Sequence, residues 1–359
     1  MKLYKLLFLT FLIFAFGCDK GYIDDITPKE AGPDEEAPEV EIDYPLEGTL
    51  IRVVEDVTPI TIEFEAVDDI EIETITVDLD GTTIATFNEF TDYRRAVLDY
   101  TYDDLTNGAH TVTVTAVDMT GKSDSKSVNF EKVEPYKPVY DGEIFYMPFD
   151  GDYLELITLQ EATVEGSPGF TTNSVAGTAA YEGAEGAYLT FPAANLLNNE
   201  FSAVMWYKLN ADPNRAGILV IGPPNDGPPV SLNNGFKFFR EAGGDDQRFK
   251  LNAGIGDGNN WFDGGEAADL DPTVATDWVH LAFTISESQC KVYINGEIVK
   301  EGEFAGIGWN ECETLSIMSG APNFVHWNHN SDLSQLDELR IFNKELTQAE
   351  IQAIIDDES

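Results

Sequence analysis

The sequence predicts an all-β protein made of two β-sandwich domains in series, with one short helix at the C-terminal end. Three observations lead to this prediction. Apolar and polar residues alternate with a period of two in many short runs, the pattern of strands with one buried face. Turn signals containing Gly, Asn and Asp separate these runs at intervals of about 8–12 residues. A helical pattern with its own start signal occurs near residue 347.

The composition supports folded cores and limits the classes of ligand. The chain has 359 residues, 43% hydrophobic and 11% aromatic, which suffices for two or three domains with their own cores. Its 65 Asp and Glu against 21 Lys and Arg give a formal net charge of −44. This charge excludes sequence-independent binding of nucleic acid, which needs clustered cations, and disfavours docking on anionic lipid. A neutral ligand, or cations held by carboxylates, fits better.

The first 18 residues predict an export signal followed by a lipid anchor. Lys2 and Lys5 flank the start of an apolar run, Leu6 to Phe16, which covers about 16 Å and is too short to span a bilayer. The run ends in Ala-Phe-Gly-Cys, which resembles the lipobox of bacterial lipoproteins. We therefore predict a signal peptide over 1–17 and lipidation of Cys18. An ordinary secretory peptide that happens to contain this cysteine is the alternative.

Residues 18–38 predict a solvated acidic tether, because acids and prolines dominate and apolar residues are few. An acidic segment directly after a lipidated cysteine also resembles the surface-export signal of Bacteroidetes lipoproteins. The expected location is therefore the outer membrane, with the chain lipid-anchored and exposed at the cell surface.

The segment 39–133 predicts the first sandwich. Ile60, Ile62 and Phe64 alternate with polar residues, and Asp80-Gly81 is a favoured hairpin turn because both residues tolerate positive φ. The stretches APEVEIDYPLEGTL, ITIEFEAVDD and LTNGAHTVTVTAVDMTGKS resemble bacterial Ig-like and cadherin-like modules. This resemblance implies a spacer domain; a second ligand site is the alternative. Two prolines within 134–140 predict a linker.

Residues 141–359 predict the second sandwich and the terminal helix. Apolar strand patterns occur at 203–207, 217–221, 278–285 and 291–299, the last of them a hairpin around an Asn-Gly pair. Thr347 and Glu350 form a capping box ahead of the apolar stripe of Ile351, Ile354 and Ile355. We expect this helix to pack on the sheet.

The second domain resembles the laminin-G-like (LamG) form of the concanavalin A-like jelly roll. The resemblance rests on motifs in the family's order over most of 143–356: YMPFDGDYLE, YLTFP, FSAVMWYKLN, WVHLAFTI, CKVYINGEIV, LSIMSG and LDELRIFNKELTQAEI. It implies a jelly-roll fold. Lectins, glycan-binding modules, glycoside hydrolases and lyases all use this architecture, so the fold alone does not determine the function.

Sequence motifs for catalysis are absent. Retaining β-glucanases of this class carry E-x-D-x-x-E on one strand, with two carboxyl groups about 5–5.5 Å apart. Glu41-Ile42-Asp43 lacks the third acid and lies in the first domain, and the chain contains neither HExxH nor GxSxG. We expect a non-catalytic protein. The alternatives are a glycoside hydrolase or lyase whose carboxylates meet only in space, and an adhesin or structural envelope protein.

Aromatic and polar residues in loop-like surroundings predict a polysaccharide-binding site. Pyranose rings stack their C–H faces on Trp, while their hydroxyls bond to Asn, Asp and His. Trp206 and Trp278 lie within strand patterns and are interpreted as structural. The candidate glycan-binding residues are Trp327, His326, Asn328, His329, Trp261, Phe262 and Trp309. A Trp327 that closes the end of the sandwich is the alternative.

The remaining expectations concern calcium, cysteines and partners. The LamG resemblance implies a structural Ca²⁺ between the first and last strands, with Asp337 as ligand and Asp150-Gly151-Asp152 as the facing segment; a simple turn is the alternative. Cys290 and Cys312 remain after lipidation, and an oxidising compartment permits a disulfide between them. The expected partners are a polysaccharide, the membrane through Cys18, and an outer-membrane glycan transporter complex.

Overall fold

The structure is a computed structural model that describes residues 32–224 and 230–359. The predicted signal peptide, Cys18 and most of the predicted tether lie outside the described residues. The chain divides into two compact units, 32–50 with 59–132 and 51–58 with 133–359. Within the described ranges, no helix is long and apolar enough to cross a membrane.

The first unit is built from two sheets, with strand orders β1-β3-β6 and β2-β8-β7-β4-β5. The strands are β1 (Glu39–Tyr44), β2 (Leu50–Ile51), β3 (Val57–Val67), β4 (Ile72–Leu79), β5 (Thr82–Phe87), β6 (Arg95–Thr106), β7 (Gly108–Asp118) and β8 (Ser123–Lys132). Ile60, Ile62 and Phe64 are buried, as the alternation predicts. Asp80 and Gly81, with φ of 51° and 77°, form the predicted turn between β4 and β5.

The second unit contains two eight-stranded sheets. Its strands are β9 (Glu143–Met147), β10 (Leu154–Glu155), β11 (Gln160–Glu161), β12 (Thr163–Glu165), β13 (Gly169–Thr171), β14 (Ala180–Glu182), β15 (Tyr188–Pro192), β16 (Phe201–Lys208), β17 (Arg215–Gly222), β18 (Phe236–Gly243), β19 (Asp246–Gly254), β20 (Asn259–Asp263), β21 (Asp269–Leu270), β22 (Val279–Ile285), β23 (Gln289–Ile294), β24 (Glu297–Glu303), β25 (Thr314–Ile317) and β26 (Gln335–Phe342). Short 3₁₀ turns occupy Ala194–Leu196, Val230–Leu232 and Gly265–Ala268.

We call the two sheets of the second unit the front sheet and the back sheet. The front sheet has the order β12-β15-β25-β17-β18-β19-β20, with β21 beside β19. The back sheet has the order β13-β14-β26-β16-β22-β23-β24, with β9 beside β26, and β10 pairs with β11 separately. The chain is therefore nearly all β, and the predicted fold class is confirmed.

The main core lies between these two sheets, because each sheet turns one set of alternate residues inward. Phe236 and Phe238 of the front sheet meet Phe283 of the back sheet, with ring centroids 5.0 Å apart in both pairs. Phe201 of the back sheet stacks on the same Phe283. These rings bury large apolar areas and hold the sheets together.

The terminal helix, α1 (Gln348–Glu358), begins with the predicted capping box. Thr347 Oγ1 accepts a hydrogen bond from the Glu350 N–H, and the Glu350 carboxylate accepts one from the Thr347 N–H. The ammonium of Lys344 and these cap hydrogen bonds lower the pKa of Glu350 to about 2. Ile351 and Ile354 are buried and pack on the outer face of the back sheet. The helix therefore adds a layer to the sandwich, as predicted.

A buried ion pair joins the front sheet to the back sheet. Arg240 of β18 and Asp332, just before β26, are fully buried, with Nη2 and Oδ1 2.8 Å apart. Tyr207 of β16 donates its hydroxyl to Asp332 Oδ2 at 2.6 Å, and Ser334 Oγ donates to the Tyr207 hydroxyl at 2.7 Å. Each charge in this network has partners, so loss of one would leave another charge buried and unpaired.

We therefore predict that Asp332→Ala lowers the free energy of unfolding of the second unit by about 3–5 kcal/mol. All five tryptophans lie in that unit, so tryptophan fluorescence during urea unfolding measures it selectively. The control is Asp141→Ala, which removes the exposed partner of Lys344 and should cost less than about 1 kcal/mol. Equal losses in the two variants would contradict a central role for the buried pair.

Candidate functional site

The front sheet has one face in the core and one face outside it, as the β18 sequence FKFFREAG illustrates. Phe236 and Phe238 belong to the main core, whereas Lys237 between them points to the opposite, outer face. The strand register places Lys237 across from Asn252 of β19, and Asn252 across from Trp261 of β20. The outer face of β18, β19 and β20 therefore carries one continuous row of side chains that ends at Trp261.

Trp261 and Phe262 are neighbours in β20 and face opposite sides of it. Phe262 is 3% exposed and packs in the main core against Phe304. Trp261 is 43% exposed, and its indole meets the ring of Phe239 edge-on at 6.0 Å. Trp261 is therefore open to solvent on the outer face, whereas Phe262 is not.

Residues 320–331, which we call the tryptophan loop, fold over part of the same outer face. Gly320 N donates to the His329 carbonyl, and the Phe324 N–H donates to the Gly320 carbonyl. A Cβ at Gly320 would overlap both the His329 and the Phe324 carbonyl oxygens. Only glycine therefore fits where these loop segments pass close to each other. Ser319 and Ser331 form a β-bridge that closes the base of the loop.

The tryptophan loop is anchored by aromatic packing. Phe324 is fully buried in a small apolar cluster with Val220, Leu232 and Phe239 on the outer face. His329 is 1% exposed and stacks on Phe324 with centroids 4.5 Å apart and planes at 17°. Burial lowers the pKa of His329 even though the Glu241 carboxylate faces it, so the ring is neutral at pH 7. The loop is thus held by rings rather than by charge.

The anchored loop brings Trp327 beside Trp261. Trp327 is 36% exposed, and the two indole centroids are 5.8 Å apart with planes at 44°. The His326 ring lies 4.4 Å from the Trp327 ring, and Arg215 Nη1 donates to the Trp327 carbonyl at 2.8 Å. Two exposed indoles from separate parts of the chain therefore form one aromatic platform, which we call the tryptophan pair.

Charged side chains lie on the outer face near the tryptophan pair. The Lys250 ammonium is 2.7 Å from Glu241 Oε1 and 2.7 Å from Asp263 Oδ2. Arg248 makes a two-pronged ion pair with Asp269 at 2.6 and 2.7 Å. His329 and Lys250 lower the pKa of Glu241 to about 2, against the effect of burial. Burial also opposes ionisation of Asp263, but the hydrogen bonds from Lys250 and from a backbone N–H prevail and lower its pKa.

The predicted calcium residues lie elsewhere in the second unit. Asp337 is buried and accepts the Val175 N–H at 2.7 Å, and Asp150 accepts the Ala179 N–H at 3.2 Å. Both carboxylates therefore face the segment 175–179. Burial, together with the neighbouring Glu338 carboxylate, raises the pKa of Asp337 to about 7.

Asp152 is separate from this pair of carboxylates. It forms an ion pair at 3.0 Å with Arg52 of the segment 51–58. Among the described residues, no group of three or more His, Cys, Asp or Glu side chains is arranged to hold a metal.

Two known family models match the chain. Residues 183–352 match the Laminin_G_3 model of the concanavalin A-like lectin/glucanases superfamily. The second unit is a laminin-G-like domain. Residues 38–114 match the bacterial Ig domain model Big_7, so the first unit is Ig-like. Both family resemblances seen in the sequence are confirmed. No curated protein is significantly similar to the chain.

Solved structures similar to the laminin-G-like domain are distant in sequence. Domain 4 of AbnA, a GH43 extracellular arabinanase from Geobacillus stearothermophilus in complex with arabinotriose, is 19% identical at a TM-score of 0.44, over 60% of this chain and 99% of that chain. The binding domain of botulinum neurotoxin DC in complex with SialylT is 16% identical at a TM-score of 0.43, over 61% of this chain and 52% of that one. The match thus spans about half of the toxin domain.

The laminin-G-like domain brings together only some of the candidate residues. Trp261, Trp327 and His326 form one surface, and the exposed Asn328 adjoins it on the tryptophan loop at a φ of 64°. His329 lies in the same loop but is buried beneath it, so it positions the loop and does not face a ligand.

Two further candidates need correction. Phe262 belongs to the core, because its neighbour Trp261 takes the outward position of the strand. Trp309 is partly buried against the core rings Phe201 and Phe236, and its Nε1 donates to the Asn198 carbonyl at 3.0 Å. Trp309 is therefore a structural residue in this domain.

The expected disulfide is also absent. Cys290 and Cys312 are both free thiols, each buried in the main core. Cys290 lies in β23 of the back sheet, whereas the Cys312 sulfur lies close to Gly235, just before β18 of the front sheet. The positions of the two cysteines in the sequence did not indicate that they lie apart in the fold.

Sequence reasoning missed the charged residues Glu241, Lys250 and Asp263 of the laminin-G-like domain. A signal was present for Lys250. In QRFKLN, Arg248 and Lys250 alternate with the core residues Phe249 and Leu251, which places both charges on the outer face. FFREAG carried no such signal, because its two charged residues, Arg240 and Glu241, are adjacent and Arg240 is the one that is buried. What the pattern lacked was the register that brings these three residues together.

We predict that the tryptophan pair accounts for most of the tryptophan fluorescence accessible to a quencher. Trp261 and Trp327 are the two large exposed indoles, whereas Trp206 is 8% exposed. The double variant Trp261→Phe with Trp327→Phe should therefore lower the Stern–Volmer constant for acrylamide severalfold. Trp206→Phe, the control, should leave it unchanged or raise it. A double variant as strongly quenched as the parent would contradict the exposure described here.

Proposed function

We propose that this protein binds polysaccharide at the tryptophan pair of its laminin-G-like domain, without cleaving it. The observation that carries the proposal is the pairing of two exposed indoles, 5.8 Å apart, on a buried aromatic support. Indole faces stack on the C–H faces of sugar rings. The adjoining Asn328 and His326, with Lys250, Glu241 and Asp263, supply donors and acceptors for hydroxyl groups.

Glycosidic bond cleavage is the second candidate, because two carboxylates meet beside the aromatic platform. Glu241 and Asp263 lie 2.7 Å from the same Lys250 ammonium. A glycosidase needs one of its two carboxyl groups protonated as a general acid, which requires a raised pKa. Here the pKa of both groups is lowered, so both are ionised at pH 7. The arrangement therefore supports binding over hydrolysis.

The sequence features of residues 1–38 support a surface-anchored setting for this domain. We propose that Cys18 carries the lipid, that the acidic tether and the Ig-like unit act as a spacer, and that the protein presents its laminin-G-like domain outside the outer membrane beside a glycan transporter. A single indole platform binds weakly, and anchoring many copies on one surface raises the effective concentration for a long polymer.

The binding proposal predicts a loss of affinity when either indole is removed. Trp261→Ala and Trp327→Ala should each raise Kd by about two- to tenfold, since stacking on one ring contributes about 0.5–1.5 kcal/mol. Affinity electrophoresis against a panel of polysaccharides measures this, followed by calorimetry with the retained one. Trp309→Phe is the matched control and should keep wild-type affinity. Unaltered migration of the wild-type protein in every gel would count against binding, and release of reducing ends would favour the enzyme.

We also propose that Asp337 and Asp150 hold a structural Ca²⁺ together with carbonyl oxygens of the segment 175–179. Carboxylate and carbonyl oxygens are the ligands that Ca²⁺ prefers, and a buried carboxylate such as Asp337 needs a compensating charge. The two carboxylates are of the ligand type that Ca²⁺ prefers, and the remaining ligands would be backbone carbonyls. The ion would join the segment before β10 to β26 and so stabilise the domain.

This proposal predicts that Ca²⁺ raises the melting temperature of the laminin-G-like domain. Binding at a hundredfold excess over Kd stabilises by about 2.7 kcal/mol, which corresponds to about 5–10 °C for a domain of this size. Tryptophan fluorescence during heating, with Ca²⁺ or EDTA, measures the shift. Asp337→Asn should abolish it, whereas Asp152→Asn should retain it because Asp152 pairs with Arg52 instead. Identical melting of the wild-type protein in Ca²⁺ and EDTA would contradict the site.

A further inference from the structure

We infer that the glycan bound at the tryptophan pair is uncharged, and that the carboxylates of Glu241 and Asp263 exclude sugars bearing carboxylate or sulfate groups by occupying Lys250. This inference rests on the proposed function and narrows it to a class of ligand. It concerns the charge balance of the outer face, which neither the fold nor the family determines.

The first step is that two carboxylates already neutralise the Lys250 ammonium. This ammonium has three donors, and two of them are directed to Glu241 and Asp263 at 2.7 Å each. An anionic group that accepted from the third donor would lie beside both carboxylates and be repelled by them. To form its own close ion pair with the ammonium it would have to displace one carboxylate, which would then lack its counter-charge.

The second step is that the other cations of this face are engaged as well. Arg248 holds Asp269 through two hydrogen bonds, and Asp263 lies 3.9 Å from it. Arg215 donates to the Trp327 carbonyl and lies 3.8 Å from Glu241. Lys250, Arg248 and Arg215 thus each have at least one carboxylate within 4 Å.

The third step is that no further positive charge reaches the surface near neutral pH, where burial lowers the pKa of Lys237 to about 7. Burial and the nearby His329 and Lys237 lower the pKa of His326, and burial also lowers the pKa of His329. Lys237 is fully buried and donates to the Asn234 carbonyl at 2.7 Å, so its ammonium does not reach the surface. Lys250, Arg248 and Arg215 are therefore the cations that a bound glycan would meet, and each of them faces a carboxylate.

The fourth step concerns the negative electrostatic potential produced by the charge of the whole chain. A net charge of −44 repels a polyanion over distances of about a Debye length, roughly 10 Å at 0.1 M salt. A neutral glycan feels no such repulsion. Its hydroxyls can also accept from Lys250 and donate to Glu241 or Asp263 without breaking an ion pair, because a hydroxyl is both donor and acceptor.

The experiment compares neutral and anionic polysaccharides on the full chain. Arabinan, β-glucan and galactomannan serve as neutral probes; polygalacturonate, alginate and chondroitin sulfate serve as anionic ones. We expect retention by at least one neutral probe only, with Kd changing less than about twofold between low and high NaCl. Retention by an anionic probe that weakens with added salt would overturn the inference and leave the proposed function standing. Failure of the wild type on all probes would overturn the proposed function itself.

A double variant tests the stated cause. Glu241→Gln with Asp263→Asn keeps the side-chain shapes and frees Lys250, so it should gain retention on polygalacturonate, at least tenfold above wild type and lost at high salt. The control, Asp141→Asn with Glu161→Gln, makes the same change in net charge at exposed positions away from the tryptophan pair. Equal gains in both variants would assign the effect to net charge and contradict the role of these two carboxylates. No gain, with an unchanged unfolding midpoint, would contradict it too.

Discussion

The proposed binding surface depends on the front sheet being packed on both of its faces at β17 and β18 but on only one face at β20. Phe239 of β18 is covered by Phe324 and His329 of the tryptophan loop, whereas Trp261 two strands away stays open. The aromatic anchor therefore ends where the exposed platform begins. A loop without this support would leave Trp327 free to move, and a platform has value for binding only when its rings are held in place before the ligand arrives.

The charged residues follow from the same constraint. Alternate residues of β18 and β19 point away from the core, where each contacts solvent, the tryptophan loop or another outer-face side chain. Lys250 satisfies Glu241 and Asp263 on neighbouring strands, and Arg248 satisfies Asp269. These cross-strand pairs make the outer face polar without making it a charged patch, in a chain that is otherwise strongly acidic. The surface is therefore polar, and its cations are each paired with a carboxylate.

Local patterns predicted much of the fold, whereas contacts between distant segments decided the site. The turn at Asp80-Gly81 and the capping box at Thr347 depend on adjacent residues, so the sequence carries them fully. The choice between Trp261 and Phe262 depends on which face of β20 meets the core, and a strand with aromatic residues at both positions does not reveal it. The meeting of Trp327 with Trp261 depends on Phe324 finding its cluster about 85 residues from Phe239 in the chain.

The unpaired, buried thiols give the domain a practical property. Burial raises the pKa of Cys312 to about 11 and raises that of Cys290 as well, so at neutral pH neither sulfur is a thiolate that alkylating reagents reach. A cysteine introduced at an exposed position such as Asn328 would be the sole quickly modified sulfur in the laminin-G-like domain. An environment-sensitive fluorophore attached there would sit next to the indoles and report occupancy in real time, with the native cysteines left in place.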